Sequence, residues 1–112
     1  MVLQHGPITN TLTGTGFVDA SAGQVTKRCA GVLHIWTPTA DDTYVIEIQH
    51  CDTIDGAYAN LMTFTLDGTV RGSEMVRVAS GDIEQYRRVV ATRTGDGDTL
   101  GFTVSFWHAG MQ

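Results

Sequence analysis

From Thr43 to His50 the chain reads Thr-Tyr-Val-Ile-Glu-Ile-Gln-His, an alternation that puts Tyr44, Ile46 and Ile48 on one face and Glu47 and Gln49 on the other. That period of two is what a strand needs when one side packs on a core and the other meets water. The strand runs into Cys51-Asp52-Thr53-Ile54-Asp55-Gly56, where the Asp residues are turn formers and Gly56 suits a positive φ. A second strand is expected from Ala57 to Asp67, with Leu61, Thr63 and Thr65 opposed in parity to Met62, Phe64 and Leu66. The whole segment reads as a β-hairpin corner.

The same grammar extends along the chain. Gly14 to Asp19 begins the first strand, a turn through Ala20 to Gly23 follows, and Val25 to Trp36 is the next strand. Hydrophobic parity is mixed in the latter, so a bulge is expected near Gly31, with Leu33 and Ile35 on one side and Val32, His34 and Trp36 on the other. Pro38 ends that strand because it cannot donate to a ladder, and Asp67-Gly68 is a strong turn signal. Ser73 to Ala79 reads as a short strand with Met75 or Val76, and Val78, inward; Ser80-Gly81-Asp82 turns, and Glu84 to Thr94 runs as a longer strand. After Gly95-Asp96-Gly97-Asp98, Thr99 to His108 sets Leu100, Phe102, Val104 and Phe106 against Thr103, Ser105 and Trp107.

Seven or eight strands with no run at helical period predict an all-β fold, an antiparallel β-sandwich. Jelly-roll topology is the first expectation and an immunoglobulin-like arrangement the second. The interval from Cys29 to Cys51, with Trp36 between, is much shorter than the immunoglobulin cysteine spacing. Residues 1–14 are rich in Thr, Gly and Asn without a sustained period and read as an extended N-terminal arm, leaving 15–112 as a single sandwich domain. Val2, Leu3, Ile8 and Leu12 are the apolar anchors by which such an arm would lie on its own domain or on a neighbouring subunit.

A chain of 112 residues with 42% hydrophobic residues can bury one core without staples. Seven basic against twelve acidic residues give a net charge of −5, which argues against a general nucleic-acid binder. Arg87 and Arg93 share one parity and Arg88 the other, as solvated strand arginines pairing with nearby acids do. No basic region followed by an apolar run opens the chain and no stretch approaches a membrane span, so a soluble, unexported protein with no membrane partner is expected. Cys29 and Cys51 are then expected as free thiols.

No residue group forms a recognisable active site. His5, His34, His50 and His108 lie at no metal-ligand spacing, and His50 and His108 read as polar tips at sheet ends, bonded to backbone or water. Asp52, Asp55, Asp96 and Asp98 are accounted for as turn residues without an ion. Cys51 follows His50 directly, and neighbours on a strand point to opposite faces, so thiol and imidazole do not pair. No enzyme, metal or cofactor is expected. The aromatics Trp36, Tyr58, Tyr86 and Trp107 remain, and Trp107, opposite in parity to the Phe102, Val104 and Phe106 stripe, is the best outward candidate. Three readings stand for it: an intersubunit anchor, a sugar-stacking platform with Trp36 and Tyr58, or partial burial beneath the arm.

The run from Tyr44 to Tyr58, Leu61 to Phe64, Tyr86-Arg87-Arg88-Val89-Val90 and the closing Gly101-Phe102-Thr103-Val104-Ser105-Phe106 together resemble small proteins encoded among the head genes of tailed bacteriophages. There the pattern is a strand ending in Ile-Gln-His-Ser, an Asp-Gly loop followed by an aromatic, an Arg-Tyr-x-Arg strand and a Phe-x-Val-x-Phe strand. The likeness covers about the last two-thirds of the chain, with Cys51 where Ser is usual, Thr53-Ile54 resembling an insertion, Tyr58 in place of Trp and Gln85 in place of Arg. It implies a jelly-roll capsid decoration, or cement, protein on the outer surface of a virion, made in the host cytoplasm. The implied partners are the major capsid protein and copies of itself as a homodimer or homotrimer. Val2, Leu3, Ile8, Leu12, Trp36, Tyr58, Arg87 and Trp107 are then the contact candidates. A carbohydrate-binding module and another head or tail structural protein are the alternatives.

Overall fold

The computed structural model describes residues 1–18, 25–26, 28–78, 82–84 and 86–108. Its strands are β1 (Val2–His5), β2 (Leu12–Thr13), β3 (Phe17–Val18), β4 (Val25–Thr26), β5 (Cys29–Thr37), β6 (Thr43–Cys51), β7 (Ala59–Thr63), β8 (Gly72–Val78), β9 (Asp82–Ile83), β10 (Tyr86–Thr94) and β11 (Gly101–His108). One sheet has the order β1-β11-β5-β8 and the other β2-β10-β6-β7, with β3 also on β10. Among the described residues these strands all pair antiparallel.

β2 and β3 are one strand interrupted by a bulge. Thr13 faces Val90 and Phe17 faces Arg87, so the four steps on one side match three on the other. Between them the Gly14 N–H donates to Val89 O at 2.8 Å. Counted that way, and setting aside the short β4–β9 ladder, the eight strands pair first with last, second with seventh, third with sixth and fourth with fifth. That nesting is the jelly roll, and it agrees with the first topological expectation.

The core is the inward parity of the long strands. Leu33 and Ile35 of β5, Tyr44, Ile46 and Ile48 of β6, Val89 and Ala91 of β10, and Phe102, Val104 and Phe106 of β11 are all buried. Each large apolar side chain withdrawn from water contributes on the order of 1.5–3 kcal/mol, offset by the entropy of ordering the chain. Met62 and Phe64 complete that core, although β7 ends at Thr63 and is shorter than the expected 57–67 strand. The Phe64 N–H still donates to Ile46 O at 3.0 Å before the chain leaves the ladder.

Three local expectations are corrected and one open parity is resolved. There is no bulge at Gly31: β5 keeps register with β8 from Cys29 to Ile35, and its irregularity against β11 falls where Gly101 and Phe102 meet it. Gly31 breaks the hydrophobic parity because a Cβ there would run into Met62 Sδ and Ile48 Cδ1. On β8 Val76 packs toward the core and Met75 is 54% exposed, which resolves that parity. Gly56 is not among the glycines with positive φ; its lack of a side chain instead makes room for Cys51 Sγ and Thr53 Oγ1.

The third correction concerns residues 1–14, which are not an extended arm. β1 is the edge strand of the first sheet, Ile8 exchanges backbone hydrogen bonds with Leu100 at 2.9 and 2.8 Å, and β2 lies on β10 in the second sheet. Leu3, Ile8 and Leu12 pack against the core. The missing period has a cause: the β1 register shifts between Val2 and Gln4, and the chain crosses from one sheet to the other between His5 and Leu12. The expected strand and turn positions at 19–24, 27, 79–81 and 85 lie outside the described residues.

Candidate functional site: the outer face of the first sheet

Because β1, β11, β5 and β8 are in fixed register, their outward side chains form rows across the sheet. The first row is His5, Thr103, His34 and Ser73; the second is Val2, Ser105, Val32 and Met75; the third is Trp107, Ala30 and Arg77. The face therefore passes from polar to apolar along the strands.

The polar row is internally satisfied. His5 Nδ1 lies 2.8 Å from Thr103 Oγ1 and His34 Nδ1 lies 2.7 Å from Ser73 Oγ. Trp36, expected outward, closes this end: its ring stacks on His5 at 5.5 Å between centroids and its Nε1–H donates to Thr103 Oγ1 at 3.2 Å. The next two rows have no such closure. Trp107 is 51% exposed, Val2 57% and Met75 54%, and a groove of about 570 Å³ crosses β11, β5 and β8 there, with Met1 at its side. Met1, Ala30, Val32, Met75 and Trp107 supply its apolar surface, Arg28 and Arg77 its charge, and no Asp or Glu is among the described residues that line it. Arg77 Nε sits 3.2 Å from Met75 Sδ, which keeps the guanidinium beside the groove.

Trp107 thus faces outward as its parity requires and is half-exposed, with Met1 lining the same groove. Trp107 and Trp36 occupy opposite ends of the face, since Trp107 pairs with Ala30, six residues before Trp36 on β5. Tyr58 lies in the loop before β7, against Arg88 of the other sheet. Its hydroxyl donates to Ile54 O at 3.0 Å and Arg88 lies over its ring at 4.0 Å, while Arg88 Nε donates to Gln49 Oε1 at 2.9 Å. Burial, opposed by Arg88, leaves the Tyr58 hydroxyl with a raised pKa. The three aromatics expected to form a platform are therefore not brought together.

Arg87 is corrected most strongly. It points inward with Val89 and Ala91 and is 0% exposed, where a solvated residue is expected from its charge. Its guanidinium lies 5.3 Å from the centre of the Phe106 ring and bridges the two sheets at one end of the sandwich. Burial pushes the nearby Cys29 thiol up, a rise that Arg87 partly offsets. Burial also lowers the pKa of His50, with Arg87 adding to the effect and Glu84 opposing it. A neutral His50 suits its role, since Nδ1 accepts the Glu84 N–H at 3.1 Å. That backbone bond agrees with the expected sheet-end histidine, while His108 is buried beside Phe106. Both cysteines are buried free thiols.

Two further polar groups lie at the sheet ends. Cys51, Asp52 and Glu84 bring one thiol and two carboxylates within 4.8 Å of one another and are, among the described residues, the group that could hold a cation. The set mixes a soft ligand with two hard ones and falls short of the four ligands of a structural zinc site. At the other end the buried Asp42 carboxylate accepts the N–H groups of Asp96, Gly97 and Asp98 at 2.8, 2.7 and 2.9 Å. Burial raises its pKa, and those three bonds with Arg93 more than offset the rise, leaving it below the usual carboxylate value. Asp98 answers by accepting the Asp41 N–H at 2.6 Å, so the turn residues clamp two loops together.

Val32, Met75, Arg28 and Arg77 are not singled out by sequence reasoning. The parity of β5 does put Val32 outward, and pairing it with an outward Met75 is the signal that points to this face. Comparison with protein-family models, with curated proteins and with solved structures finds no match to the chain.

Proposed function

We propose that the chain is a non-enzymatic virion structural protein that binds the outer surface of a phage capsid and stabilises it by bridging capsomers. Its partners in this reading are the major capsid protein and further copies of itself. The observation that carries the proposal is the open apolar face: Trp107, Met75 and Val2 are exposed beside a partly buried Val32 on one side of the sheet. A cement protein needs such a surface and a stiff scaffold, and many copies on one lattice gain avidity from modest individual contacts. The jelly roll is a fold used in capsids, and the net charge of −5 suits an outer surface better than one facing packaged DNA.

The contact moves from arm to face. Leu3, Ile8 and Leu12 are engaged in the core, and only Val2 of the N-terminal candidates is outward. Sugar stacking is less well supported, because Trp36 and Tyr58 are occupied elsewhere and Trp107 sits apart from both.

Co-sedimentation of the purified protein with phage heads lacking it, viewed by electron microscopy, tests the proposal. Saturable decoration at symmetric positions is expected. Absence of binding, with Trp107-dependent retention on a glycan array, overturns it in favour of carbohydrate recognition.

A further inference from the structure

The groove on the first sheet is cationic on an acidic protein. Arg28 and Arg77 are both exposed and both line it, and no carboxylate of the described residues does, although acidic residues outnumber basic ones twelve to seven along the chain. Its remaining surface is Trp107, Phe106, Met75, Met1 and small or aliphatic residues. We propose that this groove docks an extended, acidic and apolar peptide segment of a partner protein. The proposal rests on reading this face as a docking surface and adds the chemistry of what it holds.

Size and charge both favour that occupant. Three strands spaced about 4.8 Å apart, with Met1 beside them, make the groove roughly 10–15 Å across, the reach of three to five residues of extended chain. An apolar side chain of the segment sits between Trp107 and Met75, where a flexible thioether and a flat indole adapt to its shape. Carboxylates flanking it meet Arg28 and Arg77, which form planar paired hydrogen bonds with such groups. A second copy packed face to face is a poorer occupant. A two-fold interface there brings four guanidinium groups together with no lining carboxylate between them, and like charges in an interface are costly.

The test uses a fluorescently labelled, acetylated peptide with Leu-Phe at its centre and Asp and Glu on both sides, titrated with the full chain. Controls replace the acidic residues by Lys, or Leu-Phe by Ser-Ser. Saturable binding of the acidic peptide is expected, about tenfold or more tighter than either control and weakening as salt rises. R28E combined with R77E abolishes it with an unchanged melting temperature, and R28K combined with R77K retains it in part. Equal binding of the acidic and lysine peptides, or binding untouched by R28E and R77E, overturns the inference. So does self-association of the protein alone that W107S abolishes, which gives the face to a second copy. Heads decorated by a protein that ignores the peptide remove this inference and leave the capsid reading standing; peptide binding without decoration does the reverse.

Discussion

The two sheets of this sandwich bury the same kind of core and finish their outer faces in opposite ways. On the second sheet Arg88 covers Tyr58 and bonds Gln49, Asn60 bonds Thr63, and Thr63 reaches Glu47, so these outward side chains satisfy one another around a single exposed Val45 among the described residues of its strands. On the first sheet the same economy holds only at the His5, Thr103, His34 and Ser73 end. Beyond it Val2, Met75 and Trp107 are exposed and form an apolar patch with the partly buried Val32. A fold needs only one covered side per sheet, so the difference between the outer sides lies outside the requirements of folding.

Neighbouring residues of β5 give the largest expected contrast. Gly31→Ala forces a Cβ against Met62, Ile48 and Phe64 and is expected to cost about 1–3 kcal/mol of stability in urea unfolding. Ala30→Ser, one residue away on the open face, is expected to stay within about 0.5 kcal/mol.

Acid is the next lever. Asp42, Asp67 and Glu74 all have carboxyl pKa values below their usual ones. For Glu74 burial raises the value, and bonds from the Leu66 and Thr65 N–H groups and the Thr65 hydroxyl outweigh it. A lowered carboxylate pKa adds stability above the unfolded value and loses it as pH falls through the folded one, so stability is expected to decline below about pH 4. Thermal melts of Asp42→Asn should show a lower melting temperature at pH 7 and a shallower fall in acid.

Arg88→Ala, on the closed face, removes a cation over Tyr58 and a bond to Gln49. It is expected to cost about 0.5–1 kcal/mol and to speed hydrogen exchange in the 52–58 loop. Met75→Ser on the open face is the smallest: no change in stability beyond about 0.5 kcal/mol is expected in the same melts.

Much of this is legible in the sequence, and the failures share a cause. The unbroken period of two in 43–50 and 99–108 announces core and outer faces correctly, down to the outward Trp107. Gly31 misleads because an absent side chain and a polar one look alike to a parity argument, while only the facing sheet reveals that Met62 fills the space. Arg87 misleads because its charge points to water while its parity points inward. The alternation that buries Val89 and Ala91 decides its place, with Tyr86 and Arg88 on the other parity. Residues 1–14 carry no period because each of their strands is short and belongs to a different sheet. The groove is invisible for a further reason: Val32, Met75 and Trp107 come from three separated strands, Arg28 from the residue before one of them, and they meet only through register.

The most decisive measurement is head occupancy by two surface variants compared with the unaltered protein. One carries V32E and M75E on the open face, the other V45E and V90E on the closed face, each checked for an unchanged melting temperature. Lost decoration by the first and normal decoration by the second is the expected result; the reverse pattern, or equal occupancy by both, contradicts an open face that serves the capsid.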